Sequence, residues 1–162
     1  GYMDVCDAVL YRRELATRQR ILKDSHCGAF AVIGMVLLAL CQWSVFLSGS
    51  ADESLWGLLL IPVATRACAG LAVLKLRPMG TSQYAAMGRH GGYAAALAVL
   101  LAAAIAVPLV TDRSFAPLAA VAGYGLAVWY GFRQLDGMNG DISGFALTLG
   151  ELAGAAVWTL VR

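Results

Sequence analysis

Long uncharged apolar runs limit this chain more than any other feature. Residues 29–50, 91–111 and 114–132 contain no Asp, Glu, Lys or Arg. Residues 142–161 contain only Glu151, and residues 54–74 only Arg66. A helix needs about 20 apolar residues to cross the hydrocarbon core of a bilayer. The runs therefore predict an all-α polytopic transmembrane bundle of about five spans, near 29–48, 54–74, 92–111, 115–132 and 142–161. Composition agrees, because only 14% of the 162 residues are charged and mean hydropathy is +0.71. Soluble domains carry about 25% charged residues, so a soluble fold would have to hide far too much apolar surface.

Residues 1–28 are different. They carry Asp4, Asp7, Arg12, Arg13, Glu14, Arg18, Arg20, Lys23 and Asp24, and do not read as a signal peptide. The whole chain, 1–162, reads as one integral membrane domain with 1–28 as a polar segment at the cytoplasmic surface. Position 1 is Gly rather than Met, as in a processed, trimmed or fragmentary chain. The cysteines Cys6, Cys27, Cys41 and Cys68 form no CxxC pair, which argues against a disulfide framework or zinc site.

Lys and Arg concentrate in cytoplasmic loops. Segment 1–28, loop 75–90 (Lys75, Arg77, Arg89) and loop 133–141 (Arg133) hold most of the bases, whereas the alternate connections are nearly empty. Five spans place the basic segments on one face, taken as cytoplasmic, with Arg162 outside. The acidic and amide clusters then share that face, although the charge rule counts only bases. Gly88 to Gly92 reads as a flexible connection, and Arg77-Pro78-Met79-Gly80 as a helix stop and turn.

Each polar cluster carries two readings. Asp4 and Asp7, three apart, share one face of a helix. They suit Mg²⁺, which keeps several waters and binds substrate phosphates, or they are an acidic first turn favoured by the helix dipole. Arg12 to Arg20 suit anionic lipid heads, at about 1 kcal/mol per base, or a polyphosphate. Lys23-Asp24-Ser25-His26 abuts the first span. There Asp24-Ser25 would serve as an N-cap, Lys23 as a phosphate partner, Asp24 as a metal ligand, and His26 as a proton carrier or an interfacial residue. Asn139-Gly140-Asp141 opens the last span, either as a phosphate-binding helix start or as a turn capped by Asp141. At about 1.5 Å per residue, Arg66 lies roughly 12 Å from its cytoplasmic helix end and Glu151 roughly 15 Å above Asp141. Charges inside a membrane are costly and face the protein or a wet cavity, so the two are expected to pair and hold the second and fifth spans together.

Gly1-Tyr2-Met3-Asp4-Val5-Cys6-Asp7-Ala8, Arg20 through Phe30, Arg66, the Arg77-Pro78-Met79-Gly80 turn, and Gly137 through Gly144 leading to Glu151 together resemble the adenosylcobinamide-GDP ribazoletransferase (cobalamin synthase) family. The Lys-Asp-Ser-x-x-Gly and Asn-Gly-Asp-x-x-Gly elements are its more specific parts. Loop 75–92 beyond the turn, and the third span, match no motif. The resemblance implies an Mg²⁺-dependent enzyme of the bacterial inner membrane with a cytoplasmic site. It joins adenosylcobinamide-GDP to α-ribazole or its 5′-phosphate and releases GMP. On that reading Asp4, Asp7 and Asp141 hold the metal. Asp24 is a further ligand or the base, with Lys23 and His26 beside it as catalytic residues. Arg20, Arg77, Ser25, Asn139 and Gly140 bind substrate. Members of the family are longer, with an additional N-terminal membrane region and an Asp commonly just before the position of Gly1, so this chain reads as N-terminally incomplete. The partners are the two substrates and the lipid bilayer, not nucleic acid, and a homo-oligomer is left open. The rival readings are another membrane transferase of diphosphate-activated substrates (prenyl or CDP-alcohol type) and a small transporter or scaffold subunit. The CDP-alcohol signature is absent and only one Asp-rich loop is visible; a transporter leaves Lys23–His26 and Asn139–Asp141 unexplained.

Overall fold

The computed structural model describes residues 1–49, 55–80 and 91–160. The Gly88–His90 loop tip, Arg89, the connection around Asp52 and Glu53, and Arg162 lie outside them. The described residues form seven helices: α1 (Tyr2–Leu10), α2 (Leu15–Ile21), α3 (Ala29–Leu47), α4 (Leu55–Lys75), α5 (Gly91–Thr111), α6 (Ala116–Leu135) and α7 (Gly140–Leu160). The chain is an all-α, multi-pass membrane bundle. Among the described residues α3, α4, α5 and α7 are long and apolar enough to cross a bilayer. The 20-residue α6 matches them in length, but tyrosines, glycines and Arg133 dilute its apolar character.

Position in the bundle explains that dilution. α6 is the central helix, packed most extensively on α7 and also against α4, α5, α1 and α2. Without a hydrophobic drive between helices in lipid, close packing of small residues holds them together. A Cβ on Gly150 would lie 2.8 Å from the Ala120 carbonyl oxygen, and one on Gly123 would lie 2.8 Å from Ala153 Cβ. Conversely, α3 and α5 turn most of their side chains outward, including Val32, Leu37, Leu40, Trp43, Tyr93, Val99 and Val110. Such surface suits lipid tails.

The larger core lies at one end of the bundle. Val5, Ala8 and Val9 of α1 pack there with Leu22, Met79, Tyr124, Leu135, Met138, Ile142 and Phe145. A smaller cluster of Ile61, Ala116 and Ala120, with Leu58 and Trp158, closes the other end. α1 is therefore a short buried helix that crosses the ends of α3, α6 and α7. Its Tyr2 ring stacks on Phe145 at 5.6 Å.

The turn after α6 fixes this end. Asp136 closes α6 in the left-handed region (φ 57°, ψ 47°). Gly137 follows at φ +153°, and a Cβ there would meet the Met79 backbone at 2.8 Å. That approach lets the Met79 N–H donate to the Met138 carbonyl (2.8 Å) and the Met138 N–H to the Arg77 carbonyl (2.9 Å). The Arg77-Pro78-Met79 stop is thus stitched to the start of α7.

Candidate functional site

Both α3 and α7 begin at this end, and each has orphan N–H groups to satisfy. In α7 Asn139 does so: its Oδ1 accepts the Ile142 N–H at 2.9 Å, while its Nδ2 donates to Asp141 Oδ2 at 2.9 Å. Asn139 rather than Asp141 is the cap, and the half-buried Asp141 carboxylate accepts from the Asn139 amide. In α3 the N-cap is Gly28, which offers no side chain. The caps come from α1, because Asp7 Oδ2 accepts the Gly28 N–H at 2.6 Å and Oδ1 accepts the Ala31 N–H at 2.9 Å. The Asp24-Ser25 step does not cap α3.

These contacts shape an open cavity of about 350 Å³ lined by Gly1, Tyr2, Asp4, Asp7, Ser25, His26, Cys27 and Met35 among others. Two polar clusters about twenty residues apart in sequence thereby share one wall. Asp141 comes to this end from α7: the Gly1 nitrogen lies 2.7 Å from Asp4 Oδ2 and 3.9 Å from Asp141 Oδ1. The side chains of Asp4 and Asp141 are 43% and 38% exposed, against 5% for the Asp7 residue. Below them Tyr2 donates to the Gly34 carbonyl at 3.3 Å. Burial first, then the neighbouring Cys6, pushes the Tyr2 phenol up to about 12, so it stays a neutral donor.

Asp24 and His26 form an exposed pair at the rim. Asp24 Oδ1 accepts the His26 N–H at 3.0 Å and lies 2.6 Å from His26 Nδ1. The His26 backbone N–H, then its ring, holds the Asp24 carboxyl below its ordinary value. The lowered Asp24 carboxyl is thus an ionised hydrogen-bond acceptor for His26. Lys23 and Arg20 are exposed beside this pair, and Arg20 contributes to the lowering of Asp24.

Arg77 stands apart from the cavity, held by the Asp136 carboxylate and carbonyl at the α6 turn. Gly140 is exposed at the start of α7. Deeper in the bundle Arg66 of α4 and Glu151 of α7 form an ion pair, with Thr65 Oγ1 donating to the same glutamate oxygen at 3.3 Å. Sequence reasoning missed Asp136, and also Arg18 and Gln19, which tie α2 to the Gln134 side chain and the Leu135 carbonyl. The Asp136-Gly137 pair after an apolar helix was the available signal, since such pairs end helices in left-handed turns.

Whether these residues suit a divalent cation follows from their geometry. Asp4 and Asp141 both approach the Gly1 nitrogen. No three His, Cys, Asp or Glu side chains cluster as a metal site among the described residues. Two carboxylates with water and phosphate oxygens are a usual Mg²⁺ shell, so the pair fits that ion when a phosphate supplies the rest. Asp7, facing the positive end of α3, does not fit in the same way.

Comparison with known proteins gives a consistent result. Residues 1–159 match the family described as cobalamin-5-phosphate synthase. An adenosylcobinamide-GDP ribazoletransferase of Clostridium perfringens (strain 13 / Type A) is 35% identical over 161 residues, covering 95% of this chain and 64% of that protein. The Geobacillus kaustophilus protein of the same name is 31% identical over 175 residues, covering 99% and 65%. That of Halalkalibacterium halodurans reaches 46% over 71 residues, 41% of this chain and 26% of that protein. The chain thus spans just under two thirds of the length of the first two relatives. No solved structure matches it.

Proposed function

This chain belongs to the cobalamin-5-phosphate synthase family, and we propose from that premise that its protein joins adenosylcobinamide-GDP to α-ribazole or its 5′-phosphate. In this reaction the ribose hydroxyl oxygen attacks the cobinamide-linked phosphorus. A new O–P bond forms, the P–O bond of the pyrophosphate bridge breaks, and GMP leaves with the bridging oxygen. Such transfers are driven mainly by positioning and charge neutralisation.

One observation supports the reading: Asp4, Ser25 and His26 line one open cavity, with Asp24 paired to His26 and Asp141 approaching the Gly1 nitrogen beside Asp4. Bound Mg²⁺ would be held by Asp4 and Asp141 and would offset charge on the pyrophosphate. His26, oriented by Asp24, accepts the hydroxyl proton. Lys23 and Arg20 at the rim meet phosphate oxygens, Ser25 donates to them, and the α7 start at Asn139–Gly140 presents its N-terminal end to the anion. Bases at this end (Arg12, Arg13, Arg18, Arg20, Lys23, Lys75, Arg77 and Arg133) support a cytoplasmic site in the bacterial inner membrane.

The test is GMP release and corrinoid product formation by membranes carrying the full-length protein, with adenosylcobinamide-GDP, α-ribazole and Mg²⁺. Asp4→Asn and Asp141→Asn should each raise the Mg²⁺ needed for half-maximal rate and lower the maximal rate at least about a hundredfold, as loss of a preorganised charge does. Full activity in either variant would remove the metal assignment. Absence of GMP release by the wild type would remove the reaction.

A further inference from the structure

We propose that Asp7 is a positioning residue that fastens α1 to the start of α3, and that it is not an Mg²⁺ ligand. Asp4 and Asp7 share a helix and a DxxD spacing, yet their surroundings separate them. Asp4 is 43% exposed, whereas Asp7 is 5% exposed and gives one oxygen to each of two α3 amides. Each carboxylate oxygen keeps a second lone pair. A cation placed there would nevertheless face the partial positive charge of the α3 N-terminus, the worst local position for it.

Gly28 gives independent support. A Cβ at that position would lie 2.6 Å from both Asp7 oxygens. The absence of a side chain at the α3 cap and the presence of a carboxylate on α1 are therefore two halves of one lock. The lock acts through the loop before it. Leu22 is buried at one end of this loop and Gly28 is held at the other, so Ser25 and His26 share the cavity with Asp4. Asp7 thus sets the distance between the carboxylate wall and the proton-accepting rim without touching a reactant. Its catalytic consequence rests on the function proposed above; the lock itself does not.

Two measurements on the full-length protein in nanodiscs decide the matter. The first is hydrogen–deuterium exchange of the Gly28 and Ala31 amides with EDTA and with Mg²⁺. Protection equal in both conditions is expected for the wild type, with about tenfold faster exchange in Asp7→Asn and Gly28→Ala, the scale of one charge-assisted hydrogen bond. Protection that appears only with Mg²⁺ would overturn the proposal, and this comparison needs no variant to fold. The second is the Mg²⁺ dependence of GMP release. Asp7→Asn and Gly28→Ala should lower kcat while keeping half-activation within about twofold of wild type, whereas Asp4→Asn shifts it about tenfold, the change expected when a direct charge partner is lost. A shift in Asp7→Asn as large as that in Asp4→Asn would also overturn it. If the wild type releases no GMP, the proposed reaction fails and amide exchange alone judges the lock.

Discussion

Replacing Glu151 by Gln separates two environments for the Arg66–Glu151 pair. Gln keeps an amide oxygen that can accept from Thr65 and Arg66, but it removes the charge opposite the guanidinium. In water the loss would be small, because exposed ion pairs contribute ~0.2–1 kcal/mol. In hydrocarbon an unpaired arginine near a helix centre costs ~2.5–3.5 kcal/mol on insertion scales. One retained neutral hydrogen bond offsets about 1 kcal/mol of that. The side chains are 60% and 33% exposed from the protein, so the outward medium decides which scale applies. α4 and α7 are both membrane-length apolar helices, and the hydrocarbon scale predicts a loss of about 2 kcal/mol. The assay is reversible SDS unfolding in bicelles, followed by tryptophan fluorescence, for the wild type, Glu151→Gln, Arg66→Met and the double Arg66→Met/Glu151→Met. The double variant should return close to wild type, since a buried pair replaced by apolar residues is often neutral. A loss below about 0.5 kcal/mol in Glu151→Gln, with no coupling between the two sites, would refute the reasoning and put the pair in water.

Three further outcomes follow from the same geometry. Gly150→Ala should destabilise the bundle by about 1–3 kcal/mol, the usual cost of overpacking, because its Cβ meets the backbone of α6. Gly125→Ala, with nothing within 4 Å, should be neutral or gain up to about 1 kcal/mol from helix propensity; equal effects in the same unfolding assay would contradict the packing described. Gly137→Ala should loosen the Arg77–Met79 stitch and speed exchange of the Met79 and Met138 amides, and unchanged exchange would count against the turn. The Asp24 carboxyl, held down by His26, should titrate below 3.8, so what it contributes to loop order is present above that value and is lost as pH falls through its lowered one. Carboxyl ¹³C titration should show it rising in His26→Ala; a fixed value would mean that the pair is absent in solution.

The long helices were legible because each announces itself as an apolar run, and apolar length is a local property. The meeting of the polar segments at one end was legible from charge distribution, since alternate connections carry most of the bases. What local pattern could not give was the use of each carboxylate. Spacing put Asp4 and Asp7 on one helical face, but their roles are set by which side of α1 the core covers. That depends on contacts with α3, α6 and α7. The cap of α3 was sought in the residues just before it and is instead supplied by Asp7, more than five turns away in sequence. Asp136 was overlooked because its partner Arg77 lies at the end of another helix. The central position of α6 was equally hidden, because its charge-free run reads as one more span and its glycines and tyrosines do not say which helix they pack against.

The meeting of Asp4 with Asp141 has a consequence for how the protein is made. The segment bearing Asp4 leaves the ribosome long before α7. At about 5–20 residues per second, the delay is on the order of ten seconds. Throughout that interval the apolar side of α1, with Val5, Ala8 and Val9, has neither α6 nor α7 to cover it. The Asp4–Asp141 meeting is thus among the last contacts of this chain to form, and ribosome stalling ahead of α7 would leave a membrane-inserted intermediate with α1 fastened to α3 but uncovered on its α7 side.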